Sequence, residues 1–431
     1  MQASAETNLS QRLKVAIVGG GVCGLTCAIA LARVGIRAEI FEAAPHFGEI
    51  GAGIGIGPNA ARVFESIGVL DEVCMRTQEP RLNMRTFLFI SGQEGHELLY
   101  EYPGTERDSG LGAYRPSLLD ALVRFVDPSA THFNRRCTSY STSESNPRQT
   151  TLHFSDGMTY DADVVIGADG IKSSIRASML GEATRQPVYS NTVCYRGLIP
   201  IEKAKAAGVK SDFSSGRPVC YMGKDKHIIV LGIKGGTILN IVAFSADHEA
   251  PIGSISLPAG ESWVNEVSQD EMLQVYEGWG SEVTNLLKCL ERPSKWSINF
   301  VHPALDSYVK GRVALIGDAA HAMLPHLGAG AGQGLEDAYL LAQLLGHPQT
   351  NPSNIEIVLQ AYDRLRRPRA QMVWNGSMRA GEIYDGWGEH GLSAEGVEQD
   401  IKRMWDPVWH HDINDDVRDA VEGLKDAGVL A

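Results

Sequence analysis

An α/β fold with a second, mainly β domain and a helical C-terminal segment is what this 431-residue sequence predicts. Three observations lead there. Residues 13–42 read strand, glycine-rich turn, helix, strand within one short unit. Two further glycine-bearing turns, each preceded by an apolar strand, follow near residues 167–170 and 317–332. Between them lie runs such as RPVCYMG, HIIVLGI and LNIVAFS, which suit a sheet with a buried face.

The totals narrow the classes. At this length the chain is long for one core, so two domains or an elaborated one are expected. A formal charge of −13 argues against a general nucleic-acid or membrane-surface binder, since phosphates would be repelled. The polar start MQASAETNLSQRLK has no apolar secretory core, and no uninterrupted apolar segment approaches the ~20 residues that span a bilayer. The seven cysteines are scattered without CxxC spacing, as expected of reduced thiols in a cytoplasmic enzyme.

LKVAIVGGGVCGLTCAIALARVGIRAEIFE carries the first site. Gly19, Gly21 and Gly24 fill the G-x-G-x-x-G positions of a Rossmann-like unit. The first glycine permits the tight turn, the second admits a pyrophosphate against the backbone, and the third lets helix and strand pack closely. The helix then directs its first amides at that phosphate. Glu42, at the end of the second strand, can accept bonds from the ribose hydroxyls of an adenosine. This unit alone leaves FAD and NAD(P) both open.

Three later stretches bear on the choice. GEIGAGIGIGPNAARVFESIGV (48–69) is a glycine-rich loop running into a helix. DADVVIGADGIKSSIR (161–176) is an apolar strand followed by Asp169–Gly170. LIGDAAHAMLPHLGAGAGQGLEDA (315–338) is a strand, Gly317–Asp318, a run of very small residues, and a helix from about Gly330. A packed core needs bulk, so so bare a run predicts that backbone must approach a ligand closely.

In these motifs the chain resembles the single-component FAD-dependent aromatic hydroxylases, with the p-hydroxybenzoate hydroxylase fold. The resemblance implies that Gly19, Gly21 and Gly24 hold the FAD diphosphate, that Asp169 and Gly170 serve FAD or NAD(P)H, and that Asp318 meets the ribitol. It extends the FAD contacts to Glu42, Ala43, Gly53, Arg115, Gly328, Gly330, Ala331 and Gly332. NADH or NADPH and O2 are the implied co-substrates, and a small phenolic acid of the salicylate type is the implied partner. CYRGLIP (194–200), FEAAPHFGEIGAG (41–53) and AYDRLRRPRA (361–370) are similar to the salicylate-hydroxylating branch. Two departures stand out. Many members carry Asn where this chain has Gly332, and an aromatic followed by Pro where it has Leu231 and Gly232 in a pocket wall.

The chemistry so implied needs a dry pocket, an anion anchor and a base for the phenol. His326, behind Pro325 and beside the glycines, is the expected base, because histidine titrates near the working pH. His321 is expected to pack beneath the loop. Arg196, inside the strand NTVCYRGLIP, is the expected anchor for a carboxylate or phenolate, with contact to the flavin or to a neighbouring acid as alternatives. Leu231 and Pro325 are expected to border the substrate.

The expected division is a nucleotide-binding domain of residues 1–77, 110–185 and 300–370, a substrate domain of 78–109 and 186–299, and a helical region of 371–431. The tail is rich in Trp and is expected to pack or to form a dimer, leaving a monomer or homodimer. His410 and His411 in WHHDIND are adjacent and cannot easily share one ion, so no metal is expected. Hydroxylation or oxidative dearomatisation of another substituted phenol, such as a resorcinol-type aldehyde or another hydroxybenzoate, is the nearest alternative, followed by a non-oxygenating FAD oxidoreductase and a nucleotide-binding escort protein.

Overall fold

Val15–Val18 and Val164–Gly167 are four-residue strands buried at every position, as strands covered on both faces must be. They lie side by side, in parallel, at the centre of a six-stranded sheet. Its order is 309–310, 313–315, 164–167, 15–18, 38–41, 131–132, parallel throughout except for the first pair. The strands expected at 37–41 and 312–316 thus form over Ala38–Phe41 and Val313–Leu315. The helix Val22–Arg33 follows the first glycine turn and is buried from Val22 to Leu31 at all but one position. The computed structural model describes residues 13–48, 53–79, 86–181, 187–213, 216–258 and 260–431. The polar start, Glu49–Ala52 of the second glycine-rich loop, and 182–186 lie outside them.

A second sheet has eight strands, in the order 264–266, 294–300, 188–200, 238–246, 226–233, 219–223, 88–91, 98–101. Alternation along these strands separates two faces. Tyr195, Val219, Tyr221, Ile228, Val230, Ile241 and Ala243 form a core with residues of the helices Gln269–Val275 and Ser281–Lys288. The register puts Cys194, Phe244 and His227 in one row of the other face, and Arg196, Val242 and Ile229 in the next. That face looks toward the glycine-rich loops. The two-stranded antiparallel ribbon Gly53–Ile56 with Leu111–Tyr114 joins the two halves, because the Gly53 amide donates to Asn240 Oδ1 at 3.1 Å.

The expected boundary between 370 and 371 falls within the helix Ile355–Tyr384, which runs unbroken across it despite Pro368. The helix is held on both sides of that proline by buried Arg366 and Arg369, which reach Glu336 at 2.8 and 2.7 Å. Further along, Trp405 is fully buried against Phe87 and Trp409, with ring centroids 5.1 and 5.4 Å away. Trp387 is exposed. Among the described residues no helix is long and apolar enough to cross a membrane.

Candidate active site

The first two motifs meet in the six-stranded sheet. Gly19 has φ +107°, and a Cβ there would stand 2.4 Å from the Ala168 carbonyl oxygen, just before Asp169. A Cβ at Gly24 would stand 2.0 Å from the Gly19 oxygen, which is the close helix–strand approach that the third glycine serves. The third motif joins through Cys23. Its Sγ would lie 2.8 Å from a Cβ at Gly317 and 2.3 Å from one at Gly334. Three turns far apart in sequence therefore converge on one place.

The first two border a cleft of about 610 Å³, lined by Gly19–Gly21, Glu42, Ala43, Arg115, Asp169 and Gly170 among others. Sequence reasoning missed Arg135, Arg136 and Lys172, which also line it and give a chain of net negative charge a local cationic wall. Nothing in their local sequence marks them; the strand 131–132 beside 38–41 brings the two arginines there. Two of the expected contacts are partly engaged already. Glu42 accepts from the Gly20 and Ala44 amides, both at 2.7 Å, so any ribose must use its remaining lone pairs. Asp169 accepts from the amides of Ser174 and Ile175 and from two serine hydroxyls, so it supplements the N-cap Ser173 in satisfying the first turn of the helix Ser174–Leu180.

The bare loop ends in the 16-residue helix Gly330–Leu345, whose first turn has no side-chain cap. Uncapped first-turn amides with small residues around them suit an anionic or carbonyl oxygen. Asp318 projects an exposed carboxylate at the start of the short helix Asp318–His321. A buried ionic cluster holds both segments in place. Asp337 accepts from the Gly317 amide at 3.0 Å, from His321 Nε2 at 2.6 Å and from Arg366 Nε at 2.8 Å. Glu336 accepts from Asn59, Arg366 and Arg369. Burial alone would raise both carboxyls, but the facing cations outweigh it and hold both below the usual range.

The sheet pocket is different in kind. Arg196 has no carboxylate partner among the described residues, and its Nε is buried without a hydrogen bond. Its guanidinium lies 5.2 Å from the Trp296 ring centroid. Burial, together with the charge of nearby Arg115, pulls its pKa down, so an anion there would relieve both penalties. At the other end of the same face His326 is buried, its ring 5.0 Å from that of Phe244. Cys194, Ile229, Val242, Phe244, Trp296 and Ile298 form one apolar cluster between them. Pro325 is exposed, while Leu231 is buried with its Cδ1 against Gly112 of the two-stranded ribbon. His410 and His411 turn to different acids, Asp108 and Asp416, at 2.6 and 3.1 Å.

Converging glycine turns, a cationic cleft and an adjacent apolar sheet face with a buried cation and a buried histidine at its ends fit a flavoprotein of the aromatic-hydroxylase class. Residues 12–377 match the family model described as FAD binding domain. The chain is 39% identical to a salicylate hydroxylase of Pseudomonas putida over 95% of this chain and 94% of that one. It is 33% identical to a 6-methylsalicylate 1-monooxygenase of Aspergillus terreus, covering 97% and 93%. A solved salicylate hydroxylase substrate complex superposes with TM-score 0.85 at 32% identity, covering 95% and 98%. The chain belongs to this FAD-binding family and is an FAD-dependent monooxygenase. Such relatives favour oxygen insertion over the escort and non-oxygenating alternatives.

Proposed function

We propose that this enzyme hydroxylates a phenolic aromatic acid of the salicylate type, consuming NADH or NADPH and O2 and releasing catechol and CO2. One observation carries the substrate class: a single apolar sheet face with an unpaired, half-buried arginine at one end and a buried histidine at the other. A flat ring fits that face, its carboxylate meeting Arg196 and its phenol meeting His326. The salicylate and 6-methylsalicylate relatives support the same reading.

FAD would be held by Gly19, Gly21 and Gly24, by Glu42, Ala43, Gly53 and Arg115, by Asp169–Gly170 and Asp318, and by the loop Gly328–Gly332. Bound FAD supplies the reduction and activation of O2. The protein's own part is to exclude water, orient the ring and take the phenol proton on His326, which makes the ring carbon ortho to it more nucleophilic. Attack at the carbon bearing the carboxylate, with loss of CO2, restores aromaticity. Leu231 shapes the pocket by holding the two-stranded ribbon against the sheet, and Pro325 by stiffening the turn before His326. We also propose a cytoplasmic enzyme, monomer or homodimer, on the strength of its free cysteines, with the domain division given above and the helix Ile355–Tyr384 shared across its last boundary.

The flavin-loaded protein is expected to oxidise NADH faster with salicylate present and to form catechol and CO2, read by mass spectrometry. Unchanged NADH consumption across a panel of hydroxybenzoates would sink the proposal, and a dearomatised product would redirect it. Arg196→Ala is expected to raise KM about 10- to 100-fold, as for loss of a hydrogen-bonded charge pair, with FAD content unchanged. Loss of flavin instead would assign Arg196 to the cofactor.

A further inference from the structure

His326 stands at the head of a buried chain of titratable groups that its proposed role alone does not call for. Its Nδ1 is 3.3 Å from Nε2 of His227, a residue of the strand Lys226–Ile233 with no exposed surface. Nδ1 of His227 is 2.7 Å from Oδ1 of Asp385, the residue that ends the helix Ile355–Tyr384. The other oxygen, Oδ2, is 2.9 Å from Nε2 of His248, whose side chain is 20% exposed. Four residues from separate parts of the chain thus connect the pocket to the surface. Phe244 stacks on His227 at 4.5 Å and walls the chain from the apolar face.

The hydrogen-bond roles follow from the carboxylate. An ionised Asp385 only accepts, so His227 must carry its proton on Nδ1 and offer a lone pair at Nε2. His326 then donates Nδ1–H to that lone pair, which leaves its own Nε2 free to accept. This is the tautomer that a base for a phenol requires. Burial drives the His326 pKa down to about 3, helped by His227. It therefore does not titrate near the working pH as its residue type suggests, but rests neutral and gains from any group that shares its positive charge. Burial opposes ionisation of Asp385, but its electrostatic attraction to His227 and its hydrogen bonds from His227 and His248 outweigh it and hold it at about 2. Tyr276 and Cys220, from two other elements, and Tyr384, the residue before Asp385, pack around the same chain and are all raised by burial and stay neutral. Asp225 and Lys224, on the turn beside it, engage Trp387 instead.

We propose that His227 and Asp385 are positioning residues that fix His326 with Nε2 as acceptor and share the charge it gains, and that His248 links them to solvent. The inference rests on the reading of His326 as the base. As the phenol O–H breaks, Nε2 of His326 takes the proton and Nδ1 passes its own to Nε2 of His227. The positive charge then lies against Asp385 rather than alone in the pocket. No oxidant or further reactant is involved.

Asp385→Asn tests it. An amide can donate to Nδ1 of His227, which reverses both tautomers and leaves His326 Nε2 protonated. The hydroxylation rate at saturating salicylate is expected to fall about 10²- to 10³-fold, with KM and FAD content near those of the parent. Asp385→Glu is expected to recover part of the rate. A ring-fluorinated salicylate, whose phenol is more acidic, is expected to suffer less from Asp385→Asn, which a merely structural role would not produce. A rate within about threefold of the parent, or an equal loss for both phenols, overturns the inference. Should Asp385→Asn not fold, His227→Gln takes its place, since its amide can bridge both neighbours but cannot carry the proton. A parent enzyme that hydroxylates no hydroxybenzoate would defeat the functional reading itself, whereas an active parent with an unimpaired Asp385→Asn defeats only the positioning role.

Discussion

Around the dinucleotide cleft the chain brings bare backbone together from three turns, while across the sheet pocket it brings side chains together from several strands. The cleft depends on what is missing. At Gly19, Gly317 and Gly334 a single added carbon would overlap a neighbouring motif, and at Gly24 it would overlap the turn of its own. The pocket depends on which side chains are present, since Arg196, His227 and Phe244 share a face only through strand register. The first kind of site fails by steric exclusion, all at once. The second fails by degrees, one contact at a time.

Gly24→Val should show the difference most strongly. Its Cβ would lie 2.0 Å from the Gly19 oxygen, and both atoms belong to the packed strand–turn–helix unit. The strain should exceed the ~1–3 kcal/mol of ordinary overpacking, and the protein should purify colourless or not at all. Gly170→Ala supplies the contrast within the same cleft. Gly170 has φ +74° but open space where a Cβ would go, so only the backbone penalty of about 1 kcal/mol applies and the flavin should stay. Flavin absorbance and a thermal melt read both. Equal behaviour of the two variants would mean that close approach is not what the glycines serve.

A smaller but still large effect is expected beneath the cleft. Arg366→Leu would leave Glu336 and Asp337 buried with too little compensation, which costs about 3–5 kcal/mol and should loosen the Gly317 turn that Asp337 holds. Chemical denaturation measures the loss, and a weaker affinity for FAD should accompany it. An unchanged midpoint would show that the cluster is dispensable.

That cluster also marks where the sequence stopped being readable. The motifs of the cleft are local: strand, glycines, helix and acid follow one another within about thirty residues, each with a physical reason for its place. Arg366 meets Glu336 and Asp337 only because two helices pack together, and no spacing rule announces it. The same holds for Asp385. It lies in a polar stretch after a long helix, 158 residues from His227, and looks like any helix-ending acid until the sheet is assembled. Arg135 and Arg136 reach the cleft through a two-residue strand too short to stand out. Even His326 was legible as a residue near the glycines, but its partner was not. Register and helix packing are global properties, so side-chain networks built on them appear only with the fold.

The smallest expected effect concerns acid stability, and it separates the pocket from the cleft without touching either ligand. Asp385 has its pKa depressed from 3.8 to about 2 in the folded protein. A carboxyl depressed on folding contributes stability that is fully present above its unfolded pKa and lost as pH falls through its folded one. The window is therefore about pH 4 down to about pH 2, and the size of the shift corresponds to about 2 kcal/mol. Glu336 and Asp337 are shifted in the same direction, so the parent's stability should fall with acidification from both regions at once. Asp385→Asn removes the pocket's share alone. The difference in unfolding free energy between parent and variant, widest above pH 4, should shrink by about 2 kcal/mol toward pH 2. A gap that stays constant over that interval would mean that Asp385 is not held ionised by His227 and His248. The tautomer assigned to His326 would then lose its anchor, while the cleft would stand as described.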